Sequence, residues 1–188
     1  MTLPGVVRLV RLKSTVSTQN KARKLAEAGA PSGTLVWADR QTRGRGRLAR
    51  RWTSGPGGLY VTLLIRPKIG PQKLAALSLK IGRIAAKSVR RQTGLAVEIK
   101  LPNDVLAKGK RTGKSAPYKK VCGILMEASG CAHEIDWVII GIGVNVSNKI
   151  PANLTQAASL SELAGKRFTR QEILTRLLSD LKAGLNTE

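Results

Sequence analysis

The 188-residue sequence contains few aromatic residues, few cysteines and a single histidine. Three Trp, two Tyr and one Phe leave the core to Leu, Ile, Val and Ala. The longest apolar run, 137–146, is interrupted by Gly141 and Gly143 and falls short of the roughly 18 residues that span a bilayer. Cys122 and Cys131 form no disulfide framework and match no zinc or redox spacing. These absences exclude a membrane-spanning or disulfide-stapled protein and favour a reduced, cytoplasmic one.

Acidic residues are also scarce. The sequence has 33 Lys and Arg against 11 Asp and Glu, a formal net charge of +22. This excess indicates anionic partners, which could be nucleic acid, phosphates or an acidic protein surface. The hydrophobic fraction of 42% is that of a folded protein. The length predicts one domain over residues 1–188, and residues 1–13 lack the apolar block of a signal peptide.

The hydrophobic periodicity predicts an α+β fold. Helices are expected after a cap at 17–20, from Pro71 to just before Gly94, and after a capping box formed by Thr169 and Glu172. The predicted strands are 35–38, 59–66, 95–100, 105–107, 120–128 and 135–146. Short turns between neighbouring strands favour a mixed, largely antiparallel central sheet covered by helices. Turn-forming residues predict an irregular loop at 41–58 and a protruding basic loop at 109–118.

The segment 44–52, Gly-Arg-Gly-Arg-Leu-Ala-Arg-Arg-Trp, is typical of anion binding. Glycines allow backbone N–H groups to approach a ligand, and guanidinium groups bind phosphate or carboxylate oxygens in pairs. Trp52 could wall in a planar or apolar group. The alternatives are a mobile basic loop or an arginine-glycine tract that holds RNA. The segment lacks the Gly-Lys-Ser/Thr ending of a Walker loop.

Three further segments could carry chemistry, although each has an ordinary structural explanation. Lys-Leu-Pro-Asn-Asp at 100–104 presents two polar side chains at a strand end, as many turns do. Lys120 begins an apolar strand in which Gly123 leaves room for a ligand, but edge-strand lysines are common. The glycines of 141–145 precede an amide and could merely mark a bulge.

Together and in this order, the four segments resemble the catalytic domain of biotin protein ligases, the biotin–[acetyl-CoA-carboxylase] ligases. Ser17-Thr18, Gln41 and Gly58-Leu59-Tyr60 extend the resemblance, which reaches to about Leu160. It implies a class II synthetase-like fold and a two-step reaction. The biotin carboxylate attacks the α-phosphate of MgATP to give biotinyl-AMP, and a lysine of a biotin carboxyl carrier domain then takes the biotin. Because the attacking oxygen belongs to the substrate, no catalytic serine, cysteine or histidine is needed.

The resemblance also assigns residue roles. Arg47 and Lys120 would grip the carboxylate and the α-phosphate, and Asp104 would bind Mg²⁺ or help to deprotonate the acceptor lysine. The implied biotin-binding residues are Ser17, Thr18, Gln41, Gly44, Arg45, Arg47, Lys120, Gly123 and Leu125. The implied ATP-binding residues are Arg47, Arg50, Trp52, Asn103 and Asn145. Arg45 and Arg50 would belong to a loop that closes over the adenylate and excludes water.

Some features depart from the family pattern. Leu101 stands where the family usually has tryptophan, and 109–118 lengthens a hairpin that is usually tight. We expect no amino-terminal helix-turn-helix domain and no carboxyl-terminal small β-barrel domain, so specific DNA binding is not expected. A carrier protein is the expected partner and a homodimer is possible. Two alternatives remain open: a lipoate ligase on the same fold, and a basic nucleic-acid-binding module.

Overall fold

A seven-stranded sheet organises the chain in the computed structural model, which describes residues 3–109 and 117–185. Its strands are β1 (Arg8–Leu12), β2 (Thr34–Ala38), β5 (Leu59–Ile65), β6 (Ala96–Lys100), β7 (Asp104–Lys108), β8 (Lys119–Gly130) and β9 (Ile135–Val144). A separate two-stranded hairpin consists of β3 (Gly44–Arg45) and β4 (Arg51–Trp52). The helices are α1 (Thr18–Glu27), α2 (Leu74–Thr93), α3 (Leu160–Ala164) and α4 (Arg170–Leu185).

The sheet is mixed and largely antiparallel, which confirms the predicted fold class. Its strand order is β1-β2-β5-β9-β8-β7-β6. β1 pairs with β2 in parallel, and every other neighbouring pair in this sheet is antiparallel. The long strand β9 is at the centre of the sheet and β8 lies next to it, so residues 138–144 of β9 are paired on both sides, with β5 and with β8.

The two faces of the sheet carry different helices. On β9, Ile140 and Ile142 point into the main core, where α2 and α4 contribute Ile81, Leu174 and other apolar residues. Ile139 points the opposite way, into a smaller core with Ala22 and Ala26 of α1. Because side chains alternate along a strand, Gly141 and Gly143 lie on the same face as Ile139. On the α1 side, the sheet therefore has no side chain of its own at these two positions.

Local sequence signals fix the helix ends. Gly94 ends α2 in the left-handed conformation, with φ of 66°. At the start of α4, Glu172 N–H donates to Thr169 Oγ1 at 3.2 Å and Thr169 N–H donates to the Glu172 carboxylate at 3.0 Å. This is the predicted capping box. Pro71 begins a 3₁₀ turn, Pro71–Lys73, from which α2 continues.

Three elements differ from the sequence-based expectation. β1 was not predicted, because this largely exposed edge strand has the sequence Arg-Leu-Val-Arg-Leu, which lacks the period-two alternation of a strand. α3 was also missed, although Ser159 and Glu162 form a capping box. The predicted irregular loop 41–58 contains the β3–β4 hairpin, in which Gly44 pairs with Trp52 and Arg45 with Arg51.

β7 and β8 pair as an antiparallel hairpin, as expected for strands that flank 109–118. Residues 110–116 of that predicted loop lie outside the described residues. Among the helices of the described ranges, none is both long enough and apolar enough to cross a membrane.

Candidate active site

A cavity of about 440 Å³ lies on this face of the sheet, and Gly141 and Gly143 are part of its lining. Most of the predicted site residues line it: Ser17, Thr18, Gln41, Arg45, Arg47, Arg50, Trp52, Asn103, Asp104, Lys120, Gly123 and Leu125. They come from the start of α1, the β3–β4 hairpin, the β6–β7 turn and β8. Arg47 and Lys120, which are 73 positions apart in the sequence numbering, thus share one cleft. We refer to this cavity as the first cavity.

A second cavity of about 320 Å³ adjoins the first. Arg51, Trp52 and Lys120 line both. Asn145 lines the second cavity and not the first, and the segment 148–157 supplies most of the remaining wall. Both volumes lie in the range of small-molecule sites. Lys120 therefore stands where two ligand-sized spaces meet.

Gly44 lines neither of these two cavities. A Cβ at this position would lie 2.4 Å from the backbone oxygen of Trp52, its partner across the β3–β4 hairpin. The structure therefore explains Gly44 by the close approach of the two hairpin strands.

The indole of Trp52 packs directly on the sheet. A Cβ at Gly123 would lie 2.6 Å from its ring, and a Cβ at Gly143 would lie 2.6 Å from its Nε1. The space that we assigned to a ligand at Gly123 is therefore taken by Trp52. The β9 register is continuous through Gly141 and Gly143, so these glycines do not mark a bulge. They accommodate the side chains of Gln19 and Trp52.

A buried polar network forms one end of the first cavity. The Gln41 side-chain oxygen accepts hydrogen bonds from Thr18 N–H at 2.8 Å and from Thr18 Oγ1 at 3.1 Å. Gln41 Nε2 donates to Ser54 Oγ at 2.8 Å. Ser17 is the N-cap residue of α1, yet its side chain makes no capping hydrogen bond. Its Oγ is buried and finds no hydrogen-bond partner among the described residues. A buried hydroxyl of this kind can bind a polar ligand group.

At the other end of the first cavity, charged and amide side chains are held by short contacts. Lys120 Nζ lies 2.7 Å from Asp104 Oδ1 and 5.2 Å from the centre of the Trp52 ring. Arg47 Nη1 donates to Asn103 Oδ1 at 3.0 Å. Asn103 Nδ2 in turn donates to Ile124 O at 3.1 Å, which fixes the amide against β8. These contacts hold two cations at the cavity in defined positions.

A resident magnesium site does not fit these residues. Asp104 is ion-paired with Lys120, and the described part of the chain holds no group of three or more Asp, Glu, His or Cys side chains that could bind a metal. Magnesium bound to nucleotides usually needs only one or two carboxylates besides phosphate oxygens and water. Among the predicted site residues, Asp104 offers the one carboxylate, and it is paired with Lys120.

Sequence reasoning missed several lining residues. Gln19 and Tyr60 line the first cavity, and burial raises the pKa of the Tyr60 phenol above its usual value. The segment 148–157 lines the second cavity. It is positioned through Lys120, whose N–H donates to Gln156 O at 2.7 Å and whose O accepts from Ala158 N–H at 3.1 Å. No motif in this segment signals a ligand, so only the tertiary structure could reveal it.

Comparison with known proteins gives the class to which this fold and cleft belong. Residues 10–145 match the family model described as the Biotin/lipoate A/B protein ligase family. The match covers most of the 188 residues and contains every predicted site residue. The chain belongs to the Biotin/lipoate A/B protein ligase family.

Individual relatives are ligases, and two of the three described here are named as biotin ligases. The chain is 40% identical over 167 residues to the bifunctional ligase/repressor BirA of Bacillus subtilis, covering 86% of this chain and 49% of that protein. It is 38% identical over 142 residues to the biotin–[acetyl-CoA-carboxylase] ligase of Paracoccus denitrificans, covering 72% and 53%. The structure of the biotin protein ligase from Aquifex aeolicus in complex with biotin and ATP is similar, with a TM-score of 0.76 and 35% identity over 95% of this chain and 70% of that chain. The chain spans about half the length of the curated relatives it matches.

Proposed function

We propose that this chain is the catalytic part of a biotin protein ligase that uses MgATP. In the first step a carboxylate oxygen of biotin attacks the α-phosphorus, the bond to pyrophosphate breaks, and biotinyl-AMP forms. In the second step a lysine amine of a biotin carboxyl carrier domain attacks the acyl carbon. The bond to AMP breaks and the amine loses a proton, which leaves an amide. The observation that best supports this reaction is the junction of two cavities at Lys120 and Trp52.

The first cavity suits biotin, because it combines an end lined by neutral polar groups with an end lined by cations. Ser17, Thr18 and Gln41 would bind the ureido ring, with the unpartnered Ser17 hydroxyl as a direct contact. Leu125 and Trp52 would line the path of the aliphatic chain. The carboxylate would then reach the cationic end near Lys120.

The second cavity would take the nucleotide. Trp52, Lys120 and Asn145 line it, and Arg51 borders both spaces. Two anions must meet at Lys120, and their repulsion opposes the reaction. Arg47 and Lys120 would offset it, because their cations are held in place before the reaction begins. Asn103 would act near the phosphate, where it already holds Arg47.

In the second step Asp104 is our candidate to receive the proton of the acceptor lysine. Its Oδ1 lies 2.7 Å from Lys120 Nζ, so the carboxylate faces the point where the acyl group would sit. Arg45 and Arg50 would form part of the cover that keeps water from the mixed anhydride.

One incubation tests the proposal. The purified chain is mixed with ATP, Mg²⁺ and biotin, and the bound ligand is identified by mass spectrometry. We expect biotinyl-AMP. A parallel sample receives lipoate, and formation of lipoyl-AMP in place of biotinyl-AMP would assign the chain to the lipoate branch. Formation of neither adenylate would reject the proposed function.

The carrier step has its own assay. A biotin carboxyl carrier domain is added with [carboxyl-¹⁴C]biotin, and its acceptor-lysine-to-arginine variant serves as the control. We expect label on the first domain only. Equal labelling of both would mean that adenylate leaks from the cleft and reacts without directed transfer.

A further inference from the structure

Glu127 is a residue that neither the sequence motifs nor the proposed reaction uses. It lies on β8, two positions beyond Leu125, and therefore on the same face of the sheet as the first cavity. Its side chain is 20% exposed. Glu127 does not line the first cavity, but it lines the space beneath the arginine-rich hairpin together with Arg45 and Leu125.

Three parts of the chain meet at this carboxylate. Arg45 of β3 binds it with both terminal nitrogens, at 2.8 Å to Oε1 and 3.2 Å to Oε2. Arg23 of α1 donates to Oε1 at 2.6 Å. Arg45 Nη1 also lies 3.1 Å from Asn20 Oδ1, near the start of α1. A paired guanidinium–carboxylate contact fixes the plane as well as the position of the arginine.

The contact adds to two others that hold the hairpin, Trp52 on the sheet and Arg47 on Asn103. Residues 43–52 contain five arginines and no acid, so their charges repel one another. The hairpin is a ladder of only two residue pairs, closed by Gly46 N–H to Arg50 O at 2.8 Å. An isolated hairpin of this size is not stable in water. Glu127 supplies opposite charge where the hairpin crosses β8.

We propose that Glu127 is a positioning residue, which holds Arg45 and thereby keeps the hairpin over the first cavity before any substrate binds. Arg47 and Trp52 belong to the same hairpin. The contact between Glu127 and Arg45 therefore raises the fraction of ligand-free molecules in which these two side chains face the cleft. The anion whose binding this contact would strengthen is the substrate carboxylate. Its identity as biotin rests on the proposed function. Loss of the anchor should weaken binding and leave the chemical step nearly unchanged, because substrate binding restores the closed hairpin.

Hydrogen–deuterium exchange of the ligand-free protein tests the contact directly. In Glu127→Gln, which removes the charge and keeps the shape, we expect amides of residues 43–52 to exchange about tenfold faster than in the wild type. Arg23→Gln is the matched control, because it removes the contact of Glu127 with α1 and leaves the contact with the hairpin. It should change exchange of these amides by less than about twofold.

The Arg23 control separates positioning of the hairpin from a general structural role. If Glu127 mattered only for overall stability, both variants would lower the melting temperature and raise exchange throughout the chain. Arg45→Gln breaks the same ion pair by changing its more exposed partner. The test can therefore be made even if Glu127→Gln does not fold. The double variant of Arg45 and Glu127 should exchange no faster than either single variant. Unchanged hairpin exchange in both single variants would overturn the proposal.

Steady-state kinetics add a second readout. For Glu127→Gln we expect the KM for biotin to rise about tenfold while kcat stays within about twofold of the wild type. A fall in kcat with unchanged KM would overturn the positioning role. If the wild type forms no biotinyl-AMP, the proposed function fails, and the exchange experiment still decides whether Glu127 anchors the hairpin.

Discussion

At the scale of single residues, Lys120 connects most of the site. It pairs with Asp104, stands over the Trp52 ring, and fixes the second-cavity segment through its backbone. Trp52 in turn requires glycine at 123 and 143. The position of Lys120 therefore depends on a residue of the hairpin, Trp52, and on a residue at the β6–β7 turn, Asp104.

Removing either cation should impair the first step. We expect Arg47→Ala and Lys120→Ala each to lower ATP–pyrophosphate exchange by about a hundredfold or more, as is typical on losing one preorganised charge-stabilising group. Lys119→Ala is the matched control, because neighbouring strand residues point to opposite faces. Its rate should stay within about twofold of the wild type. Near-normal exchange in both active-site variants would refute their assignment.

The two cysteines should differ sharply in reactivity. Cys122 is fully buried in the main core, where burial raises the pKa of its thiol to about 12. Cys131 is exposed. With a thiol-specific chromogenic reagent at pH 8, we expect one rapidly modified thiol per native molecule and two after denaturation. Cys131→Ser should abolish the rapid reaction. Rapid modification of two thiols in the native protein would contradict the burial of Cys122.

At the scale of elements, Asp39 links β1, β2 and α4. It directly follows β2, and its carboxylate pairs with Arg11 of β1 and with Arg170 at the start of α4. Desolvation acts to raise the pKa of this carboxyl, but the hydrogen bonds and charges of the two arginines outweigh it and hold the pKa below the usual value. Arg11 also lies 4.0 Å from the centre of the Trp37 ring. The edge strand and the last helix are thus tied to one residue.

This arrangement predicts a pH-dependent stability contribution. Because the folded-state pKa is lowered, the contribution of Asp39 is fully present above its ordinary pKa near 3.8 and is lost as the pH falls through the folded-state value. Asp39→Asn should therefore lower the urea midpoint at pH 7, and the difference from the wild type should shrink below about pH 4. Asp136→Asn, at an exposed position, is the control. A difference that is independent of pH would contradict the ion-pair explanation.

The elements also show where sequence patterns succeed. The sequence predicted helices α2 and α4, the end of α2 at Gly94 and the Thr169–Glu172 capping box. These features depend on residues that are neighbours in the sequence, so their pattern can be recognised without the tertiary structure. β1 was missed because its pairing with β2 is what makes it a strand. The α3 capping box was visible in Ser159 and Glu162, but the helix is only five residues long and its periodicity is too short to detect.

At the scale of the whole molecule, the charge of +22 exceeds what the cleft uses. Arg83, Lys87 and Arg90 are exposed on α2, which covers the face of the sheet opposite to the first cavity. These cations are remote from the proposed reaction. We expect them to attract polyanions through charge alone, which does not depend on nucleic-acid sequence.

We therefore predict weak, sequence-independent binding to DNA. By fluorescence anisotropy, two duplexes of equal length and unrelated sequence should bind with equal affinity, and that affinity should fall by at least about tenfold between 50 and 200 mM salt, as expected for counterion release. Adding unlabelled duplex of either sequence should compete equally. A preference of about a hundredfold for one duplex would indicate specific recognition and contradict the expectation.

The order of chemical segments along the chain was enough to indicate the family and most of the predicted residues that meet in the first cavity. That information is local, because glycines, arginines and the Pro-Asn-Asp turn have properties that do not depend on their partners. The tertiary structure alone decided that Trp52 occupies the space above Gly123 and Gly143, that 148–157 builds the second cavity, and that Glu127 meets Arg45. Each of these contacts joins residues far apart in sequence, so their geometry exists only once the sheet has brought the strands together.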